Sequence, residues 1–511
     1  MFRAGPIPQV VRVTLGMLAF SFPRSCKLVR KNWQDNFRQF GQFRSSIIEA
    51  ARFLSEPVKM KDRQIQTGRH GLVQLLALLF AVLTFSPSAR AETLLETYVL
   101  ARQSDPKFRS AQSESKAIGM ALDQARAGFL PTAKFEVDEM ETRQRILDSK
   151  NPIFGAGVTN FETYSHTLSL NQPIFRKEAI ERFAQAKSLV RQAEFTLLAA
   201  EQDLLLRTTA AYLVVLAATD SVALAGAERE AVGKLLELER TKLQMGLGTI
   251  TSQHDATARY AVTQAREIEA KNRLRDARQG LREITGKLIE NLGSLRDEFS
   301  LETPKPASVE RWLETALEQN LLLRAKREAI DVARQEVERQ RAGHYPTLNL
   351  LVSHNQRMAG STLFGGGSNV ETTDLTLRLS VPLYEGGLTS AVTQEAVHRY
   401  QKAQEDHEQE HRAVERATRA FFDGTVGGVS LVQALKQSVV AQQSALEAKV
   451  EGHKSGLFAL LSVLDAQRDL FLAKRDLAQS RYDYLIYRLR LKQAAGTLSE
   501  ADLAGINAAL Q

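Results

Sequence analysis

The 511-residue sequence predicts an exported chain of mixed class, in which very long coiled-coil helices are joined to a few membrane-type β-strands in an architecture written twice. Three observations carry this. An apolar targeting segment precedes residue 92, four landmarks recur about 210 residues apart, and short runs of strict apolar–polar alternation sit between helical stretches far longer than a globular helix.

The first observation is Leu72–Phe85 (LVQLLALLFAVLTF), preceded by Lys61, Arg63 and Arg69 and followed by Ser86-Pro87 and Ala89-Arg90-Ala91. A basic flank, a short apolar run and a small-residue site form a secretory signal, and the run is too short for a comfortable bilayer span. Residues 60–91 are therefore expected to be the signal peptide and Glu92 the mature start. Residues 1–59 read as an extension or misassigned start and are given no fold. Residues 1–91 carry 14 of the 67 Lys and Arg and 4 of the 59 Asp and Glu, which leaves 53 basic against 55 acidic residues. The formal charge of +8 thus belongs to the leader, and a basic nucleic-acid-binding surface loses its support. Cys26, the single cysteine, also lies in the leader, so the mature chain is expected to have neither disulfide nor thiol chemistry.

The repeat is read from its landmarks. Ala127-Gly128-Phe129-Leu130-Pro131-Thr132 returns as Ala342-Gly343-His344-Tyr345-Pro346-Thr347, and Leu168–Phe175 (LSLNQPIF) returns as Leu377–Tyr384 (LRLSVPLY). Gly246 and Gly456 fall in register, as do Gly286 and Gly496. The expected organisation is a first repeat over 92–300, a proline-containing linker over 301–308 (LETPKPAS) and a second repeat over 309–511. Each repeat runs helix, two strands, very long helix, glycine turn, helix.

Helices are expected over Glu92–Gly128, Arg176–Met245, Thr249–Gly286 and Leu388–Ser455; the two longest, Arg176–Met245 and Leu388–Ser455, contain no proline, and their apolar residues recur at three- and four-residue spacing. About 70 residues at about 1.5 Å each make a rod of roughly 100 Å, and such a rod must lie against others as a coiled coil.

Strands are expected over Thr132–Asp138, Tyr164–Leu170, Thr347–Ser353 and Leu375–Val381. In the last of these Leu375, Leu377, Leu379 and Val381 alternate with polar residues, the signature of one apolar face. The same alternation suits two small hairpins packed on helices in a soluble periplasmic scaffold, or strands of a membrane barrel. Four strands cannot close a barrel, and open edges are forbidden in lipid, so the membrane reading requires two or three copies. At the strand-to-helix junctions, Pro173 and Phe175 correspond to Pro382 and Tyr384. Pro382 suits a ladder end, Tyr384 a membrane–water interface, and Gly386-Gly387 the change of direction into a helix.

The order of these motifs resembles the TolC family of outer-membrane efflux and type I secretion channels over essentially all of Glu92–Gln511. ETLLETYVLARQSDP, AGFLPT, AGHYPT, LSVPLYEGG, MGLGTI, LREITG, SVLDAQRDL and GTLSEADLAGINAAL carry the resemblance. It implies a homotrimer with a 12-stranded outer-membrane barrel, four strands per chain, continuing into a helical barrel across the periplasm. It also implies a passive exit duct for secreted polypeptide or small toxic compounds, partnered by a periplasmic adaptor and an inner-membrane transporter. By the resemblance the adaptor docks at the tips formed by Gly246, Leu247, Gly248 and Thr249 and by Ser455, Gly456 and Leu457. The lumen narrows near Asp465, Ser462, His453, Phe458 and Ser252. Ser462 stands where the family has a second aspartate, so one acidic ring at most is expected. Three Asp465 carboxylates would then favour cations.

One enzyme motif competes. His407-Glu408-Gln409-Glu410-His411 matches H-E-x-x-H, in which two histidines one turn apart bind zinc, but it lies in a highly charged helical run. Gly365-Gly366-Gly367-Ser368 lacks the Lys-Ser/Thr of a phosphate loop. The expectation is a non-enzyme without metal or cofactor.

Overall fold

A computed structural model describes residues 92–148, 157–296, 299–361 and 366–510. The expected signal peptide, residues 1–59 and Phe364-Gly365 of the glycine loop lie outside the described residues. The first half contains α1 (Leu94–Ser104), α2 (Pro106–Gly119), α3 (Ala121–Ala127), β1 (Thr132–Ile146), β2 (Gly157–Phe175), α4 (Lys177–Gln244) and α5 (Ile250–Thr285). The second contains α6 (Val309–Gln319), α7 (Leu321–Arg341), a 3-10 turn (Ala342–His344), β3 (Thr347–Ala359), β4 (Ser368–Ser380), α8 (Leu388–Lys454) and α9 (Leu460–Ala494), with α10 (Glu500–Asn507) behind it.

The long helices have the expected limits, and at 68 and 67 residues α4 and α8 are each about 100 Å long. The expected single helix over Glu92–Gly128 is instead three segments. At the first break the Asp105 side chain accepts from the Phe108 N–H at 2.9 Å, and Pro106 opens α2; a side-chain cap followed by proline restarts a helix rather than continuing it. The second half repeats this at Asn320, which accepts from the Leu323 N–H at 3.0 Å between α6 and α7.

The strands are longer than the alternation alone indicated, at 15, 19, 13 and 13 residues, because polar residues continue the ladders beyond the apolar runs. They form one antiparallel sheet in the order β1-β2-β3-β4. The β2–β3 pairing joins the two halves, with Leu170 opposite Val352 and Leu168 opposite His354. Pro173 lies inside β2 beside a bulge, and Val381, expected in the strand, falls just beyond β4. Gly386 (φ 62°) and Gly387 (φ 86°) both adopt left-handed backbone, and Gly387 caps α8.

The main core lies midway along the helices. Leu94 and Tyr98 of α1, Leu204, Tyr212 and Leu213 of α4, Tyr484, Leu485 and Leu489 of α9 and Leu503 of α10 are buried together. The apolar stretch of α4 contributes Leu204, Leu205, Tyr212 and Leu213 to this cluster, although most of that stretch stays uncovered in the single chain. Two tyrosines anchor the surrounding chain. Tyr212 Oη accepts from the Gly293 N–H at 2.9 Å, and Tyr484 Oη accepts from the Glu302 N–H at 3.0 Å and donates to the Glu302 carbonyl at 2.8 Å. The 301–308 segment is therefore docked on α9.

Candidate functional site

Each long hairpin turns at a glycine whose positive φ lets the following N–H groups fold back on the helix end. At the first tip Gly246 has φ 72°, and the Leu247 and Gly248 N–H groups donate to the Lys242 carbonyl at 2.8 and 3.1 Å. At the second Gly456 has φ 79°, and the Leu457 and Phe458 N–H groups donate to the Gly452 carbonyl at 2.8 and 3.3 Å. This satisfies the last carbonyls of α4 and α8 and pushes one leucine out of each turn. Leu247 is 76% and Leu457 78% exposed. Thr249 caps α5 by accepting from the Ser252 N–H at 3.2 Å, and the two hydroxyls lie 2.9 Å apart. Ser252 is thus part of the turn itself.

The remaining candidates fall within a few turns of the tips. His453 Nδ1 lies 2.8 Å from the Phe458 carbonyl, and its Nε2 lies 3.4 Å from the buried Glu239 carboxylate and 3.3 Å from Lys242 Nζ. This cluster joins α8 to α4. The Phe458 ring covers Gly452, where a Cβ would come within 2.3 Å of it. Ser462 is partly buried in the first turn of α9 and its N–H donates to the Ala459 carbonyl at 3.0 Å.

Asp465 is not an isolated carboxylate. Arg259 of α5 and Arg468 of α9 each approach its Oδ1 at 3.4 Å, and Arg468 also pairs with Asp469 at 2.9 Å. Neither Arg259 nor Glu239 and Lys242 was singled out by sequence, because their partners lie more than 200 residues away. The repeat offset contained a signal: 210 residues separate Asp255 from Asp465 and Arg259 from Asp469, so the two repeats place related charges at one level.

His407 and His411 sit one turn apart on α8 but do not fit a zinc site. Among the described residues no third ligand joins them, and Glu408 is held by Arg412 at 2.7 Å. Burial, His411 and Arg327 together hold the His407 imidazolium below its ordinary range. A second cation is unwelcome beside Arg327.

The sheet separates its residues by face. Leu348, Leu350 and Val352 of β3 pair with Leu379, Leu377 and Leu375 of β4, while Asn349, Leu351 and Ser353 pair with Arg378, Thr376 and Asp374 on the other side. In the first half Ala133, Phe135 and Val137 share the apolar face with Leu170, Leu168 and His166. Among the described residues no helix packs extensively on either face, and Leu375, Leu377 and Leu379 are 64–74% exposed.

A sheet of this kind set on two long helical hairpins defines a class, the outer-membrane export duct. The family described as outer membrane efflux protein matches residues 97–287 and 312–497, and the chain belongs to it. It is 33% identical over 434 residues to the outer membrane protein TolC of Vibrio cholerae, covering 84% of this chain and 96% of that one. It is 31% identical over 426 residues to the alkaline protease secretion protein AprF of Pseudomonas aeruginosa, covering 83% and 88%. The solved Campylobacter jejuni CmeC outer membrane channel shares the fold, with a TM-score of 0.70 at 14% identity over 90% of this chain and 99% of that one. The relatives are channel proteins rather than enzymes, and they place the chain in the outer membrane.

Proposed function

We propose that three copies assemble into a 12-stranded outer-membrane barrel, four strands from each, continuing as a helical duct through the periplasm. The two-faced sheet carries this reading. An unpaired sheet edge is costly in lipid and a bare leucine ladder is costly in water; the first cost vanishes when β4 of one copy pairs with β1 of the next, and the second when the outer face of the closed barrel meets lipid. The apolar band also runs diagonally. Its centre is Leu377 on β4, level through Leu350 with Gln172 of β2, whereas on β1 it is Phe135, level with Leu168. A shift of four residues over three strand spacings, at about 3.3 Å per residue and about 4.8 Å per spacing, corresponds to strands tilted by roughly 40°. A closed membrane barrel requires that tilt.

In this assembly the repeats are 92–300 and 309–511, joined by 301–308 and exported by the 60–91 signal. The tips at Gly246–Thr249 and Ser455–Leu457 receive a periplasmic adaptor, through which an inner-membrane transporter feeds the duct. The exposed Leu247 and Leu457 supply the apolar contacts. The duct is passive and needs no cofactor. AprF is named for secretion of a protease and the family for efflux; we assign this chain a cargo of secreted polypeptide or small toxic compounds.

The test is a pair of substitutions on opposite faces of one strand. Leu377→Lys should abolish outer-membrane assembly, since a cation facing mid-bilayer costs about 2–4 kcal/mol in each copy, while the neighbouring Thr376→Lys should assemble normally. Equal tolerance of both would reject the barrel.

A further inference from the structure

We infer that Arg259 sets the ion preference of the duct's periplasmic mouth by neutralising Asp465, so that this channel discriminates only weakly between small cations and anions. The inference deepens the proposed reading of the hairpin tips as the end of the duct. Asp465 lies five residues into α9 from the second tip, and Arg259 nine residues into α5 from the first. Their pairing therefore sits at the far end of both hairpins from the sheet.

The charges at this level largely cancel. Asp465 and Asp469 are matched by Arg259 and Arg468, each pair within 3.4 Å. Asp255, the counterpart of Asp465 in the first repeat, is exposed and adds one negative charge per copy. Below it Glu239 is met by Lys242 at 2.7 Å and by His453. Ser462 contributes no charge. Repeating a nearly balanced set of charges around an axis builds little potential, in contrast to a ring of unopposed carboxylates.

Arg259 is the component whose removal changes this balance most. Its side chain is 17% exposed, against 42% for Asp465, so the cation is held in the wall while the carboxylate meets solvent. One of its terminal nitrogens is shared between Asp465 Oδ1 at 3.4 Å and the Leu464 carbonyl at 3.3 Å, and its Nε is buried without a hydrogen-bond partner. An imperfectly satisfied buried guanidinium costs stability, so packing alone does not account for it. Arginine also stays charged at any physiological pH, which makes the neutralisation permanent.

The experiment is the reversal potential of single channels purified from outer membranes, under a KCl gradient across a planar bilayer. Wild type should show a potassium-to-chloride permeability ratio within about threefold of unity. Arg259→Gln should raise the ratio severalfold, Asp465→Asn should lower it below the wild-type value, and Arg259→Lys, which keeps the charge, should leave it near wild type. A strongly cation-preferring wild type would overturn the inference, as would an Asp465→Asn channel with unchanged preference, whether or not Arg259→Gln assembles. If the purified wild type forms no channels at all, the duct reading fails first and the inference falls with it.

Discussion

The two long hairpins turn in the same way but are held differently. α4 has 17 buried residues, spread from Ala179 to Glu239, whereas α8, almost equal in length, has seven. The α4–α5 hairpin is stitched by Arg266 to Glu228 at 3.2 Å and by Arg229 to Glu267 at 2.9 Å, around Val232, Leu236 and Ala256. Along α8 the charged side chains pair mostly within their own helix, as Arg399 with Glu395 and Arg412 with Glu408, and Val426, Leu431 and Val440 remain exposed. One turn motif, used twice, thus serves a hairpin well packed within the chain and a hairpin whose outer surface stays largely exposed in the single chain.

The sharpest break in this symmetry is at the hairpin roots. A Cβ on Gly496 would lie 2.2 Å from the Gln319 carbonyl oxygen, while one on Gly286 would lie 3.3 Å from Ser104 Cβ. Both glycines have positive φ, so Gly286→Ala should cost about 1–2 kcal/mol in backbone strain. Gly496→Ala should cost about 3–5 kcal/mol, because backbone must move as well. Thermal unfolding followed by circular dichroism in detergent would rank them, and equal midpoints would remove the distinction.

The next contrast lies where α4 meets α7. Burial alone would raise the pKa of Glu336, but hydrogen bonds from Arg339, Gln340 and Gln185 bring it down to about 2. A carboxylate with a depressed folded-state pKa contributes stability in full above its unfolded value near 4.5, and that contribution is lost as pH falls towards 2. Glu336→Gln should therefore cost about 1–3 kcal/mol at neutral pH and flatten the acid limb between those values. An unchanged acid limb would show that the network contributes little. At the tips, Leu247→Asp and Leu457→Asp should each weaken adaptor binding about tenfold or more without altering thermal stability; isothermal titration with the purified adaptor would separate the two tips. The smallest effect is expected at Gly452→Ala. There only the Phe458 ring must swing aside, at about 1 kcal/mol, and conductance noise should change before stability does.

Long periodic helices, the glycine turns and the alternation of β4 were legible because each depends on neighbours a few residues apart. The restarts at Asp105 and Asn320 were missed, although the Asp-Pro pair and the polar cap were present in the sequence. They interrupt a helical pattern without changing its composition. The β2–β3 pairing was not specified, since nothing local records which strand lies beside which. Asp465 was recognised as a candidate, but its environment was not. Arg259 reaches it only after two hairpins have folded against each other, and a charge counted alone then reads as a ring of negative potential. The turn glycines Gly246 and Gly456 were legible from the repeat spacing, because a turn contains its own geometry, whereas Leu247 and Leu457 were named only through the family resemblance.

The most direct test of the account is to purify the protein from outer membranes, measure the mass of the detergent-solubilised oligomer, and record single-channel currents from the same sample. A trimer that opens a pore is the predicted result. A soluble monomer that never conducts would contradict it and return the four strands to the surface of a periplasmic scaffold.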